Sequence, residues 1–213
     1  MSPKNASGNA DRSPAALGRQ VIPSRLLAYV DESMCRVDET TLCYFMAAAV
    51  IPEEDCEEVR ATLRGLLLGK GNRIHWRDEH QHRKELIAKT ILTAQVESLV
   101  VVGAMMNPRM QERARQLVLR RLLFELDQRQ VAHAILETRH AERDRHDMRS
   151  IGGFRDAKAV SRWLSVSHGE PVQEPMLWVA DAVAGAAGDY RRGTRRCYEV
   201  LDGLVDQIDI GPV

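Results

Sequence analysis

Leu26-Leu27-Ala28-Tyr29-Val30 runs without a break into Asp31-Glu32-Ser33, and no other stretch restricts the fold as much. An apolar run with no polar alternation is expected of a strand covered on both faces, as in the interior of an α/β sheet. Asp31 shares its face with Leu27 and Tyr29, and ends the strand at the rim where open α/β sheets place ligands and chemistry. Two adjacent carboxylates there, with no cation beside them, are costly to assemble. The plainer alternative is a polar turn ahead of Cys35-Arg36-Val37-Asp38, since loops are often polar without a functional reason.

The rest of the 213 residues, 44% of them apolar, suffices for one globular domain with a full-sized core. Thirty Lys and Arg balance thirty Asp and Glu, so polyanion binding must come from local patches and not from a global field. Cys35, Cys43, Cys56 and Cys197 lie far apart with no CxxC pair. Free thiols are expected, and neither a zinc ribbon nor a disulfide framework. No window approaches the roughly 18 consecutive apolar residues of a membrane span, and the N-terminus has no signal-like apolar segment. A soluble, cytoplasmic protein that engages no membrane is the expectation.

Residues 1–24 are rich in Ser, Asn, Ala, Gly and Pro and read as a disordered arm. A domain over residues 25–192 follows. TLCYFMAAAVI, residues 41–51, pairs with the first strand as a hairpin. A helix opens at Pro52-Glu53-Glu54-Asp55, with Val59, Leu63, Leu66 and Leu67 as its stripe. Asp78 is the natural N-cap of the next helix. Strands follow at residues 97–106 and 132–138, separated by a helix over residues 109–130. The polar segment 139–153 reads as a long loop, and residues 157–166 fit either a short helix or a last strand. Glu174-Pro175 opens a strong helix, MLWVADAVAGAAGDYR. Residues 193–213 are expected to form a helical tail packed on the domain.

Three acids stand in comparable places: Asp31 after the first strand, Glu137 at the end of the fourth, and Asp181 two turns into the late helix. Asp181 has Leu177, Ala184 and Gly188 for helical neighbours, too deep for a cap, so unless the helix face turns it into water it must protonate, find a distant partner or hold a metal. Converging carboxylates suit Mg2+ or Mn2+. Two such ions about 3.5–4 Å apart activate water and steady the leaving oxygen in phosphodiester cleavage. With this order of strands and helices, the acids describe a ribonuclease H-like site in an α/β fold, a mixed sheet flanked by helices.

YVDES, the later apolar strand ending in an acid, and PMLWVADAVAGA resemble the uncharacterised ribonuclease H-like family called domain of unknown function 3800 (DUF3800), across about residues 25–192. Its members begin with Asp-Glu-Ser-Gly and carry Ala-Asp on a late helix. The resemblance implies a nuclease-like activity and a metal or catalytic role for Asp31, Glu32 and Asp181. Glu137 stands where that fold usually has an aspartate, and Met34 replaces the glycine after Ser33.

The expected activity is metal-dependent hydrolysis of nucleic acid, RNA or DNA. Asp31, Glu137 and Asp181 are the metal ligands, with Asp31, Glu32 and His75 catalytic. The alternative is a non-catalytic module of the same fold that binds nucleic acid or protein. A zinc hydrolase on His75 and His80 is remoter, because H-x4-H-x-H puts no clean pair on one helical face. Arg139, Arg143 and Arg145 are candidate phosphate contacts, although Glu142, Asp144 and Asp147 dilute their charge.

Overall fold

The computed structural model describes residues 25–39, 41–105 and 108–212. The expected N-terminal arm lies outside the described residues. Six strands form one mixed sheet: β1 (Leu26–Arg36), β2 (Leu42–Pro52), β3 (Glu97–Met105), β4 (His133–Glu137), β5 (Ser165–Gly169) and β6 (Val205–Pro212). Their order across the sheet is β5-β4-β1-β2-β3-β6. The β1–β2–β3 meander is antiparallel, whereas β4 joins β1, β5 joins β4 and β6 joins β3 in parallel.

Helices α1 (Cys56–Arg64), α2 (Gln81–Thr93), α5 (Met176–Arg191) and α6 (Arg196–Val200) cover one face of the sheet, and α3 (Gln111–Gln128) and α4 (Ala141–Asp156) cover the other. The alternation of β1 sorts its side chains between them. Leu27 and Tyr29 join the core beneath α5, while Ala28 and Val30 join the core beneath α3. Helix α5 is buried along nearly its whole length, which its Ala and Gly content permits. Arg60 on α1 ties its start down, donating from Nε to Glu174 at 2.9 Å and from Nη2 to the Tyr29 hydroxyl at 2.7 Å.

Four expectations are corrected. Asp31 does not end β1, which continues paired with β2 as far as Arg36. Pairing with β4 stops at Val30, so Asp31 borders the sheet where one neighbouring strand has left it. Asp78 caps nothing; it closes a single 3-10 turn, Trp76–Asp78, and His80 precedes α2. The segment 139–153 is not a loop but mostly helix α4. Its inward face carries the buried Asp147 beside Ile151, and a charged inward face defeats a search for apolar periodicity. The C-terminal tail is helical only over α6. Gly203, at φ +85°, turns the chain away from a helix, and Val205, Ile208 and Ile210 then lay β6 along β3. Residues 165–169, on the border of the segment left open, form β5.

The approach of residues 73–77 to α5 depends on one glycine. A Cβ on Gly185 would lie 2.1 Å from Cδ1 of Trp76, and the indole is buried and hydrogen-bonded, so it cannot swing aside. Gly185→Ala is expected to destabilise the protein by about 1–3 kcal/mol, the usual cost of overpacking, as a lower urea midpoint with unchanged slope.

Candidate metal centre

Parallel pairing of β1 with β4 builds the centre. Val30 lies opposite Leu136, so the next residue of each strand, Asp31 and Glu137, emerges level with the other. Both follow the alternation onto the α5 side of the sheet, where Asp181 is buried on that helix. The Asp31 carboxylate accepts the backbone N–H of Glu32 at Oδ1, 2.7 Å away. Burial, then the charges of Glu137 and Asp181, push the Asp31 carboxyl well above the ordinary carboxylate range. Glu137 is also raised, by burial and by Asp181, with Arg73 and His75 acting in the opposite direction. Glu137 and Asp181 thus oppose ionisation of Asp31, and Asp181 opposes that of Glu137, whereas a hydrogen bond with the Asp31 carboxyl favours the Glu137 anion; among the described residues the three acids do not bring ligand atoms within 4.8 Å of one another.

Asp181 is held from the side. Its Oδ2 accepts the backbone N–H of Trp76 at 2.7 Å and Nδ1–H of His75 at 3.0 Å. That contact raises the His75 pKa against the effect of burial. Trp76 is fixed in turn, since its Nε1–H donates to Asp189 at 2.9 Å and the ammonium of Lys84 sits 5.0 Å from its ring centroid. Two cavities flank the acids. One of about 290 Å3 contains Asp31, Glu137, Arg73 and Arg139, the other of about 170 Å3 contains Asp181, Arg77 and Arg192, and Glu32 and His75 line both.

Glu32 reaches this place from the opposite face of the sheet, and Arg115 on α3 donates to it from Nε at 2.6 Å. Arg115 is almost wholly buried and also holds Asp147, which Arg139 contacts at 3.1 Å. Burial disfavours the Asp147 anion, but His168, Arg115 and Arg139 outweigh it and hold its carboxyl below the usual range. Arg139, expected to reach phosphate, is instead committed to Asp147, Glu112 and Glu32. Arg143 and Arg145 stand exposed on α4. Asp144, Asp147 and His168 offer ligand atoms within 4.8 Å of one another, among the described residues a possible metal site by distance. Thr138 and the Arg139 backbone already engage Asp144, and two guanidiniums supply the positive charge a cation would bring.

The sheet with its flanking helices superposes on solved ribonucleases H. The fold is ribonuclease H-like. Bst-RNase HIII in complex with Mn2+ superposes with a TM-score of 0.50 at 15% identity, over 87% of this chain and 59% of that one. The ribonuclease H2 from Pyrococcus horikoshii OT3 gives 0.51 at 12% identity, over 85% and 81%. No family model matches the chain, and no curated protein matches it in sequence.

On this ribonuclease H-like frame, sequence reasoning overlooked Arg115, Arg73 and Asp189. Arg115 carried a signal: it falls on the same helical face as Val118, Leu119 and Leu122, where an arginine needs a buried acid. His80 shares no site with His75, since it stands exposed at the start of α2, and a paired-histidine zinc centre is not formed.

Two outcomes follow from these electrostatics. An acid raised above its unfolded pKa lowers stability as pH climbs from the unfolded value, about 3.9 for Asp, to the folded one, because the native state then binds the extra proton. Metal-free Asp31→Asn is therefore expected to melt above wild type at neutral pH, and the difference should vanish as pH falls below about 4. Arg115→Met leaves Asp147 and Glu32 without their main cation and is expected to cost about 3–5 kcal/mol, read by urea denaturation.

Proposed function

We propose that the protein is a divalent-metal-dependent phosphodiester hydrolase acting on nucleic acid, with Asp31, Glu137 and Asp181 as ligands for Mg2+ or Mn2+. The observation that carries this reading is the level emergence of Asp31 and Glu137 from paired parallel strands, facing Asp181, with Arg73 3.8 Å from Glu137 as the nearest guanidinium paired with the trio. The donor set is oxygen, which fits hard cations. Bound there, the cations would supply the charge that activates water and stabilises the leaving oxygen.

The chain's own residues do the placing. His75 and the Trp76 backbone occupy Oδ2 of Asp181 and leave Oδ1 for an ion. With Nδ1 engaged, Nε2 of His75 is the ring atom left for the cavities, where it can contact a phosphate or hand a proton to it. Glu32 acts through Arg115, holding the guanidinium beside the cavity and not serving as a direct ligand. This engagement of Glu32 is also what a non-catalytic nucleic-acid- or protein-binding module would show, and that is the second reading. Bst-RNase HIII is a manganese complex, and membership in the DUF3800 family belongs to the same proposal.

Manganese is expected to raise the melting temperature of wild type, by an amount equivalent to about 2.7 kcal/mol at a hundred times its dissociation constant, and to raise Asp31→Asn far less. Cleavage of RNA, DNA or hybrid should require the metal and disappear in Asp31→Asn. A protein that neither gains stability from manganese nor cuts any of the three is the binding module.

A further inference from the structure

We propose that the outward side of the strap from Arg73 to Arg77 is a phosphodiester rail, which seats a nucleic-acid strand across the acid centre. This deepens the hydrolase reading and rests on it. The strap presents alternate residues to opposite sides. Ile74 and Trp76 are buried in the core under α5, so Arg73, His75 and Arg77 face outward. They bracket the acids: Arg73 lines the larger cavity, Arg77 the smaller, and His75 both. From Arg73 to His75 the chain is extended, a span of about 6.6 Å, and the 3-10 turn at Trp76–Asp78 then carries Arg77 on to the second cavity.

Arg77 is uncommitted among the described residues, and Arg73 only loosely paired, in a site where other cations are held. Arg77 is exposed and makes no hydrogen bond or ion pair among the described residues. Arg73 has only a long contact, 3.8 Å, with Glu137. Arg115 and Arg139 are occupied by buried carboxylates, which leaves the strap as the better phosphate contact than Arg139. The Arg77 end also carries surplus positive charge, since Lys84 and Arg192 share the single carboxylate of Asp189. A polyanion is the ligand such a line of cations recognises.

The rail is also stiff. Trp76 lies against Gly185, donates to Asp189 and through its backbone to Asp181, so the guanidiniums at either side of it spring from an anchored chain. Little ordering cost then remains to be met when a strand binds.

Fluorescence anisotropy with labelled RNA, DNA and hybrid oligonucleotides, in calcium so that binding is read without turnover, tests the rail. Arg77→Ala and Arg73→Ala are each expected to weaken binding about tenfold and to lower the salt slope by about one unit. Arg77→Lys should retain the slope. Arg120→Ala, an exposed arginine on α3 on the other side of the sheet, should change neither quantity. Arg77 is exposed and makes no hydrogen bond or ion pair among the described residues, so its variant should melt as wild type does and its result stands whether or not Arg73→Ala is destabilised. Wild-type affinity and slope in Arg77→Ala overturn the rail, as does an equal loss in Arg120→Ala or a wild type that binds none of the oligonucleotides. The manganese melts judge the metal centre separately, so the rail can fail while the centre stands.

Discussion

Four paired residues of β1 and β4 fix where the acids stand. Leu27 to Val30 run parallel to His133 to Leu136, and the pairing stops one residue short of Asp31 and Glu137. Up to that point β1 is apolar and covered on both faces, and Ala134 and Leu136 of β4 are buried, which makes the register unforgiving: a slip of one residue would turn Asp31 and Glu137 into the opposite core. Beyond it, β4 parts from β1 while still paired with β5 through Glu137, and the two carboxylates line the opening between the strands. The fold's hydrophobic stability therefore holds together two buried carboxyls, of which Asp31 is pushed well above the ordinary range by burial and by Glu137.

The sheet also separates neighbours. Asp31 and Glu32 are consecutive, yet the two-residue period sends one toward α5 and the other toward α3 and α4. On the far side, Glu32 meets a buried lattice of Arg115, Asp147 and Arg139, in which two guanidiniums balance two carboxylates and only the Arg139 Nε–H is buried without a partner. On the near side the balance is missing. The contrast distinguishes the two acidic groups chemically, although both contain three potential ligands: one is a closed strut between helices, and the other is short of positive charge.

Asp181 joins these acids through packing. A tryptophan can lie flat against α5 only because Gly185 has no side chain, and its indole and backbone N–H reach Asp189 and Asp181 on the same helix face. That one contact delivers His75 to Asp181 and sets Arg73 and Arg77 on either side. A long excursion between α1 and α2 thereby becomes a rigid wall of the site.

The first four strands with the helices between them, the α5 span and the three acids were legible in the chain, because each is written in local terms: uninterrupted apolar runs, a proline at a helix start, carboxylates where apolar residues surround them. Helix α4 and strand β6 were not. The first hides its inward face in a charged residue, Asp147, and the second owes its state to a free edge of β3 that no local pattern reveals. The division of Glu32 from Asp31, the capture of Arg139, and the grip of Trp76 on α5 were decided by tertiary structure alone. Each depends on which group stands across a sheet or a helix from another, and a charge's partner at long sequence separation is set by packing, not by its neighbours in the chain.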